Sequence, residues 1–582
     1  MPGEIEARER SRHLERIGQN PGVKNPMNRC DVLVIGSGAA GTFAALAAAE
    51  QGARVCIASK GSLLYGNTRL AGGIVACPGF ADNDLPRHFV EDVFQAGERI
   101  SRRNLVELVA EGGLQSLQAL EEWGYLFKRN DQGEPRLTQA GGHRSARTMI
   151  CCYRGSSLAN LLRCKIACHD RIRVLESHVL YRLILTEGGM SGALFLDMYR
   201  GEPVVIEAPA VVLATGGAGM VYAPHTDNTR EVTGDGMALA LLVGARLVDM
   251  EFMQWMPFAV TSPPDLVGIN CGEPSSAGPQ GVLLNCRGRV ILRSFHRMTR
   301  AQVARVIFRE IKNGGGTRNG GVIFDPRANR GDPDGERTYQ ERRSLGTLDV
   351  VRQAYGQEAY QWSVPYEVAP SVHFTLGGIV VDNQGSTGVE GLFAAGEVTG
   401  GFHGADRLGS AALTECFVVG STAGYHAWEK SRRKMKVQKR IDCRGLVREL
   451  HALFDQPGRE TPEKLARELG DLMWRRAGGV RDRQDLEKAR RGIADLVLKS
   501  EEIKTPGLKK WNLPVQAAIE LQSMLVVAEA MVLASQTREE TRGTHYRLDY
   551  PELSKTWEGK NIVIERGIDG VLTASVKDTD EL

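Results

Sequence analysis

The sequence predicts an α/β protein: a split Rossmann-like domain, an inserted α+β capping domain and a C-terminal helical bundle. Three observations carry this. First, CDVLVIGSGAAG (30–41) is an apolar strand that turns through glycines into the alanine-rich helix TFAALAAAEQG, with ARVCIAS as a second, parallel strand. Second, VVIEAPAVVLATGGAGMVY (204–222) and GLFAAGEVTGG (391–401) repeat the strand-then-glycine form, so distant segments must build one sheet. Third, EKLARELGDLMWRRAG, RQDLEKARRGIADLVLKS and VQAAIELQSMLVVAEAMVLASQ place apolar residues at helical spacing.

In chain order, residues 1–27 are a charged lead-in without the apolar stretch of a signal peptide. Residues 28–250 form the first part of the nucleotide-binding domain. The segment 251–355 is rich in Gly, Pro, Asn and Arg and reads as the capping domain. Residues 356–430 return to the first domain, 431–541 are helical, and 542–582 form a charged tail. A chain of 582 residues exceeds one compact core.

A net charge of +3, with both signs interleaved, gives no basic stripe, so nucleic-acid binding is excluded. The eleven cysteines include no CxxC pair. They read as reduced thiols of a cytoplasmic protein, with no resident iron–sulfur cluster or other metal. No apolar run approaches the span of about 20 residues that crosses a bilayer, so membrane contact is expected only through partners.

Gly36, Gly38 and Gly41, with Ser37 and Ala40 between them, form G-x-G-x-x-G between a strand and a helix. The first glycine permits the turn, the second lets a pyrophosphate approach the backbone, and the third lets the helix pack closely. The helix N-terminus then adds partial positive charge. The acid expected at the end of the second strand is replaced by Ser59 and Lys60, which argues against NAD in this slot.

The second glycine motif, ATGGAG, followed by TGDG, points to FAD. Here the chain resembles the flavoprotein subunits of succinate dehydrogenase and fumarate reductase, with L-aspartate oxidase and, more distantly, adenylylsulfate reductase. GSGAAG, ATGGAGMVY, TGDGMALAL, DMEF, HFTLGGI, GLFAAGEV, HGADRLGSAAL and TRGTHYRLDYP stand in the family's order. The resemblance implies FAD, with the three fingerprint glycines on the pyrophosphate and Glu397 on the flavin's ribose. It implies Asp235, Ser410, Ala412 and Leu413 along the ribityl and isoalloxazine side. Thr215, Gly216, Val179, Gly72 and Gly73 belong to the same implied slot. Covalent members carry a histidine before the threonine of YGNTRLAGG. Asn67 precedes Thr68 here, which implies noncovalent FAD.

The resemblance further implies that Arg300 delivers a proton and that His373 and Arg407 grip a substrate carboxylate, with Gln254, Glu273 and His403 around them. A planar guanidinium suits that grip. On the residues alone, Arg300 could equally be a surface helix residue and His373 a core histidine. Dicarboxylate-using members read roughly E-F-x-Q-(Y/F)-H-P-T, whereas this chain has Met256 and Phe258 for the histidine and threonine. A carboxylate against that wall would cost several kcal/mol. The expected function is therefore an FAD-dependent oxidoreductase acting on an anionic, partly apolar small substrate, paired with an iron–sulfur subunit. Alternatives are fumarate reductase or succinate dehydrogenase proper, an adenylylsulfate reductase-like enzyme, and a noncatalytic electron-transfer subunit.

Overall fold

A computed structural model describes residues 28–434 and 442–582; the lead-in read for 1–27 lies outside the described residues. Five parallel strands form the central sheet, in the order Leu392–Ala394, Ala210–Leu213, Val32–Ile35, Val55–Ala58, Ile172–Leu175. VLVI and AVVL are buried along their whole length, as strands covered on both faces require. Helix Ala39–Glu50 crosses one face and packs along the long helix Ala411–Lys434. The two backbones approach closely, because a Cβ at Gly424 would lie 2.1 Å from the Ala44 carbonyl oxygen.

The capping domain is built on a six-stranded antiparallel sheet in the order Asn270–Gly272, Met253–Ala259, Tyr366–Thr375, Val322–Asp325, Val282–Leu284, Val290–Arg293. Strand Tyr366–Thr375 therefore joins this sheet, although it lies beyond the sequence-based limit at 355. Its Val368 and Val372 are completely buried. The capping core gathers Phe258, Phe295, Phe324, Trp362 and Tyr366.

Helices Arg444–Ala452, Pro462–Arg476, Arg483–Ser500 and Leu513–Thr537 make up the C-terminal domain. The last corrects the reading that no apolar segment approaches membrane-spanning length. An 18-residue window of this 25-residue helix has a mean hydropathy of 1.7 and so passes by length and composition, yet 67% of that window is buried inside the protein. Glu520, Gln522 and Glu529 interrupt the run, so no unbroken apolar stretch marks it in the sequence.

The supposed tail is also structured. Strands Lys560–Arg566 and Leu572–Asp578 pair with each other and, through Leu247–Val248, with Gly378–Ile379. Ile562, Val563 and Ile564 are fully buried, while charges on the outer strand give the segment its polar composition. Nearby, Arg538 Nε donates to Glu251 at 2.6 Å, and Arg538 and Arg542 share Glu540. All four side chains are buried, and this network anchors the start of strand Met253–Ala259.

Candidate active site

The dinucleotide slot begins where strand Val32–Ile35 meets its glycine turn. Gly36 has φ +109°, and a Cβ there would sit 2.1 Å from the Ala214 carbonyl oxygen. A Cβ at Gly41 would come equally close to the Gly36 oxygen, so glycine alone lets the strands and helix meet. Gly38 caps helix Ala39–Glu50 without a side-chain acceptor of its own, and the Ala39 N–H donates to Thr68 Oγ1 at 2.9 Å. Ser37 and Ser59 join hydroxyls at 2.9 Å, which ties the fingerprint to the end of the second strand. Gly73 has φ +74°, Gly72 faces open space, and Ala40 is buried within the helix.

Lys60 donates to Thr233 Oγ1 at 2.7 Å and to Asp235 at 2.9 Å, and it also meets Glu520 at 2.9 Å. Desolvation pulls the ammonium down, but Asp235 and then Glu520 more than offset it and hold it above its ordinary range. Lys60 thus stands between two carboxylates, with Glu520 reaching in from the C-terminal domain. Gly216 has φ +76°, and a Cβ at Gly217 would lie 2.4 Å from Glu397 Oε1. Thr215 Oγ1 is buried without a protein partner. Glu397 accepts from the Thr375 N–H at 3.0 Å, and burial pushes its carboxyl up.

Asn67 Nδ2 donates to Asn228, and Asn67 Oδ1 accepts from the Thr229 N–H. Ser410, at φ +62°, precedes helix Ala411–Lys434, and its hydroxyl meets Thr148 at 2.9 Å. Ala412 packs near Phe252 and Phe374, and Leu413 is partly buried against the main core. Val179 is not brought to the slot by its side chain, which packs with Val447 and Val515 in a separate cluster. Only its neighbour reaches the fingerprint, through the His178 N–H to Ser59 oxygen bond of 2.9 Å. The glycine cradle, the open hydroxyl of Thr215 and the helix N-terminus, to which Gly38 offers no side-chain cap, fit FAD.

The second half of the site lies where the cap meets this domain. Gln254 Nε2 donates to Asp406 Oδ1 at 3.1 Å and to the Arg407 carbonyl at 3.3 Å. Arg407 lies over the Phe374 ring at 4.5 Å, and its Nε has no protein partner. Desolvation, then repulsion from Arg300, pulls its guanidinium down to about 10. Arg300 opens helix Arg300–Glu310, which Thr299 caps, and bonds Glu273 through Nη2 at 2.7 Å and Nε at 3.1 Å. Burial opposes both charges. Each nevertheless holds the other ionised, Glu273 below its usual range and Arg300 above it.

His373 Nδ1 faces Asp227 Oδ2 at 2.8 Å. His403 is set back in the interior, edge-on to Phe374 and Phe402, with Nε2 3.3 Å from Glu415. Burial lowers its imidazole, against the opposing pull of Glu415. Met256 is buried and pairs in register with Ser371. Phe258 is not brought to this pocket; its ring stacks on Phe324 at 5.5 Å and meets Phe295 edge-on. The pocket position that the family resemblance implies for Phe258 is lost where the strand register shifts between Met256 and Ala259.

Four participants were missed from the sequence: Asp227, Asn228, Asp406 and Glu520. Asp227 and Asn228 stand in HTDNT, just after the second glycine motif, and that polar cluster was the available signal. Asp406 lies inside HGADRLGS, beside the arginine that was read.

The FAD binding domain family matches residues 31–413, and the fumarate reductase flavoprotein C-terminal family matches 466–571. One of the subunits of the fumarate reductase (CoM/CoB) of Methanothermobacter marburgensis is 34% identical over 558 residues, covering 94% of this chain and 98% of that protein. The solved structure of Mycobacterium smegmatis Sdh1 in complex with UQ1 superposes with a TM-score of 0.85 at 30% identity, covering 94% of each chain. Adenylylsulfate reductase from Archaeoglobus fulgidus, at 18% identity and a TM-score of 0.73 over 94% and 95% of the two chains, shares the fold.

Proposed function

The chain belongs to the fumarate reductase and succinate dehydrogenase flavoprotein family and is an FAD-dependent oxidoreductase, and from that premise we propose that its substrate is a small monocarboxylate with an apolar remainder. One observation carries this reading. Of the three basic side chains, Arg300 is taken up by Glu273 and His373 faces Asp227, whereas among the described residues no carboxylate lies within ion-pair distance of Arg407. One guanidinium suits one carboxylate. Met256 occupies the position where a second carboxylate would need a donor.

The resident FAD supplies acceptance or donation of an electron pair. Gly36, Gly38 and Gly41 would hold its pyrophosphate, and Glu397 with Thr215 would meet its hydroxyls. Asn67 lacks a nucleophilic ring nitrogen, so the cofactor is noncovalent. Arg407 binds the substrate carboxylate, Gln254 and Asp406 fix the Arg407 segment, and Arg300 with Glu273 stands at the reacting end.

An iron–sulfur subunit takes or gives the electrons. Support comes from relatives named as parts of larger enzymes: the Methanothermobacter protein is one subunit of its fumarate reductase, and others are fumarate reductase flavoprotein subunits. We place the protein in the cytoplasm, with any membrane contact made through partners; its eleven free thiols suit a reducing compartment.

Anaerobic titration of the oxidised holoenzyme tests the substrate class. But-2-enoate should perturb the flavin spectrum with at least about tenfold higher affinity than fumarate or succinate, the difference of one poorly partnered carboxylate. Reoxidation of the reduced flavin by fumarate at about 10 per second or faster would overturn the reading.

A further inference from the structure

We propose that His143 is a positioning residue for the flavin: it holds the Ser410 hydroxyl away from helix Ala411–Lys434, whose first N–H groups are thereby left to the isoalloxazine ring. The inference rests on the flavin lying beside residues 410–413, as the family resemblance implies.

The arrangement starts with a guanidinium that cannot turn. Arg147 is 0% exposed and stands between Asp84 and Asp92. Its Nε and Nη2 donate to Asp84 at 2.9 and 2.8 Å, and Nη1 donates to Asp92 at 2.6 Å. The second hydrogen of Nη2 goes to Ser145 Oγ at 2.8 Å. One hydrogen of Nη1 remains, and it meets His143 Nδ1 at 3.0 Å. All five guanidinium hydrogens are then spent.

A guanidinium only donates, so His143 Nδ1 carries the lone pair and the neutral ring keeps its hydrogen on Nε2. That nitrogen donates to the Gly409 carbonyl at 2.7 Å and stands 3.2 Å from Ser410 Oγ. Ser410 Oγ also lies 2.6 Å from the Gly409 carbonyl oxygen and 2.9 Å from Thr148 Oγ1. The Ser410 carbonyl accepts the Ala76 N–H at 3.0 Å. Thr148 and Ala76 face each other on the paired strands Thr148–Ile150 and Ile74–Ala76. Ser410 is thus pinned by side chain and backbone together, at φ +62°.

A serine or threonine just before a helix ordinarily has extended backbone, and its hydroxyl accepts from an N–H of the first turn. Thr299 does this for helix Arg300–Glu310, accepting the Gln302 N–H at 3.2 Å. Ser410 does not. A left-handed backbone costs about 1–3 kcal/mol in a residue with a Cβ, and here it turns the hydroxyl toward His143 and Thr148. Among the described residues no protein group accepts from the N–H groups of Ala411, Ala412 or Leu413. An isoalloxazine ring gathers negative charge when it takes up an electron pair, and donors aligned at a helix N-terminus favour that charge. The buried network therefore favours the reduced cofactor over the oxidised one.

Anaerobic reduction of the holoenzyme beside a reference dye reads the flavin potential without any substrate. His143→Ala lets Ser410 relax and cap the helix. The equilibrium should swing about tenfold toward oxidised flavin, ~30 mV for a two-electron couple. Adding Ser410→Gly to His143→Ala should restore the wild-type potential, because glycine accepts a positive φ and has no hydroxyl to offer the helix. Ser410→Gly alone should not lower the potential. Failure of Ser410→Gly to rescue His143→Ala overturns the diverted cap while leaving the flavin's place intact. A lowered potential in Ser410→Gly alone does the same, even if His143→Ala fails to fold. If FAD binds every variant with unchanged absorbance and potential, the ring lies elsewhere, and its implied place and the inference fall together.

Discussion

Removing Glu520 should loosen the cofactor, even though that residue belongs to the C-terminal domain. Lys60 meets Asp235 and Glu520 at 2.9 Å each, with the three side chains 11%, 10% and 17% exposed. At that distance a bare pair is worth ~6 kcal/mol at an effective dielectric of about 20. Most of this repays desolvation. Glu520→Gln leaves Lys60 its contacts with Asp235 and Thr233, so the net cost is that of one charged hydrogen bond, about 2 kcal/mol. Expressed in cofactor binding, that is a ~30-fold rise in the FAD dissociation constant. Lys60→Gln is worse, at about 3–5 kcal/mol, because two buried carboxylates are then left facing each other. The double substitution should lie well below the sum of the singles, because the residues share one network. Reconstitution of apoprotein with FAD, followed by quenching of flavin fluorescence, measures all three. Equal affinities within about threefold, or strict additivity, would refute the coupling between the C-terminal domain and the slot.

The two apolar replacements in the family's substrate strand should separate cleanly. Met256→His should raise affinity for fumarate, read by flavin difference spectra. Phe258→Thr should instead cost about 3 kcal/mol of stability, because it hollows an aromatic core. A change in anion preference from Phe258→Thr at unchanged thermal stability would restore that residue to the pocket. Asp249 gives a pH signature. Desolvation, then Glu251, pushes its fully buried carboxyl up to about 7. This lies above the unfolded value, so the folded state carries the extra proton, and stability from this group is present at low pH and lost as pH rises toward about 7. Asp249→Asn should flatten thermal stability across about pH 4 to 7, and an unchanged slope would show that the carboxyl is ionised throughout.

The glycine fingerprint was legible because its demands are local: a left-handed turn and close packing are written in consecutive residues. The cap and the C-terminal helices were legible by composition and period, whereas Arg300 was singled out only through the family resemblance. What escaped depends on distance or register. Glu520 stands far from Lys60 in the chain, and no pattern near either residue announces the pairing. Phe258 was placed by matching the family's motif, and the irregularity after Met256 leaves its ring in the capping core instead. The final strands were hidden because a hairpin with one wet face averages to a charged segment.

Strand Tyr366–Thr375 belongs to the capping sheet, yet it ends inside the flavin cradle, where the Thr375 N–H meets Glu397 and its hydroxyl receives the Ala218 N–H. A body hung from such a strand has its axle at that end. His373, two residues away, lies close to that tether, and Arg407 belongs to the FAD-binding domain. Arg300 and Glu273 lie out on the moving arm. A rigid-body movement of the cap about that tether would displace Arg300 and Glu273 further than His373, so the point where one strand is tied decides which half of the pocket such a movement could change.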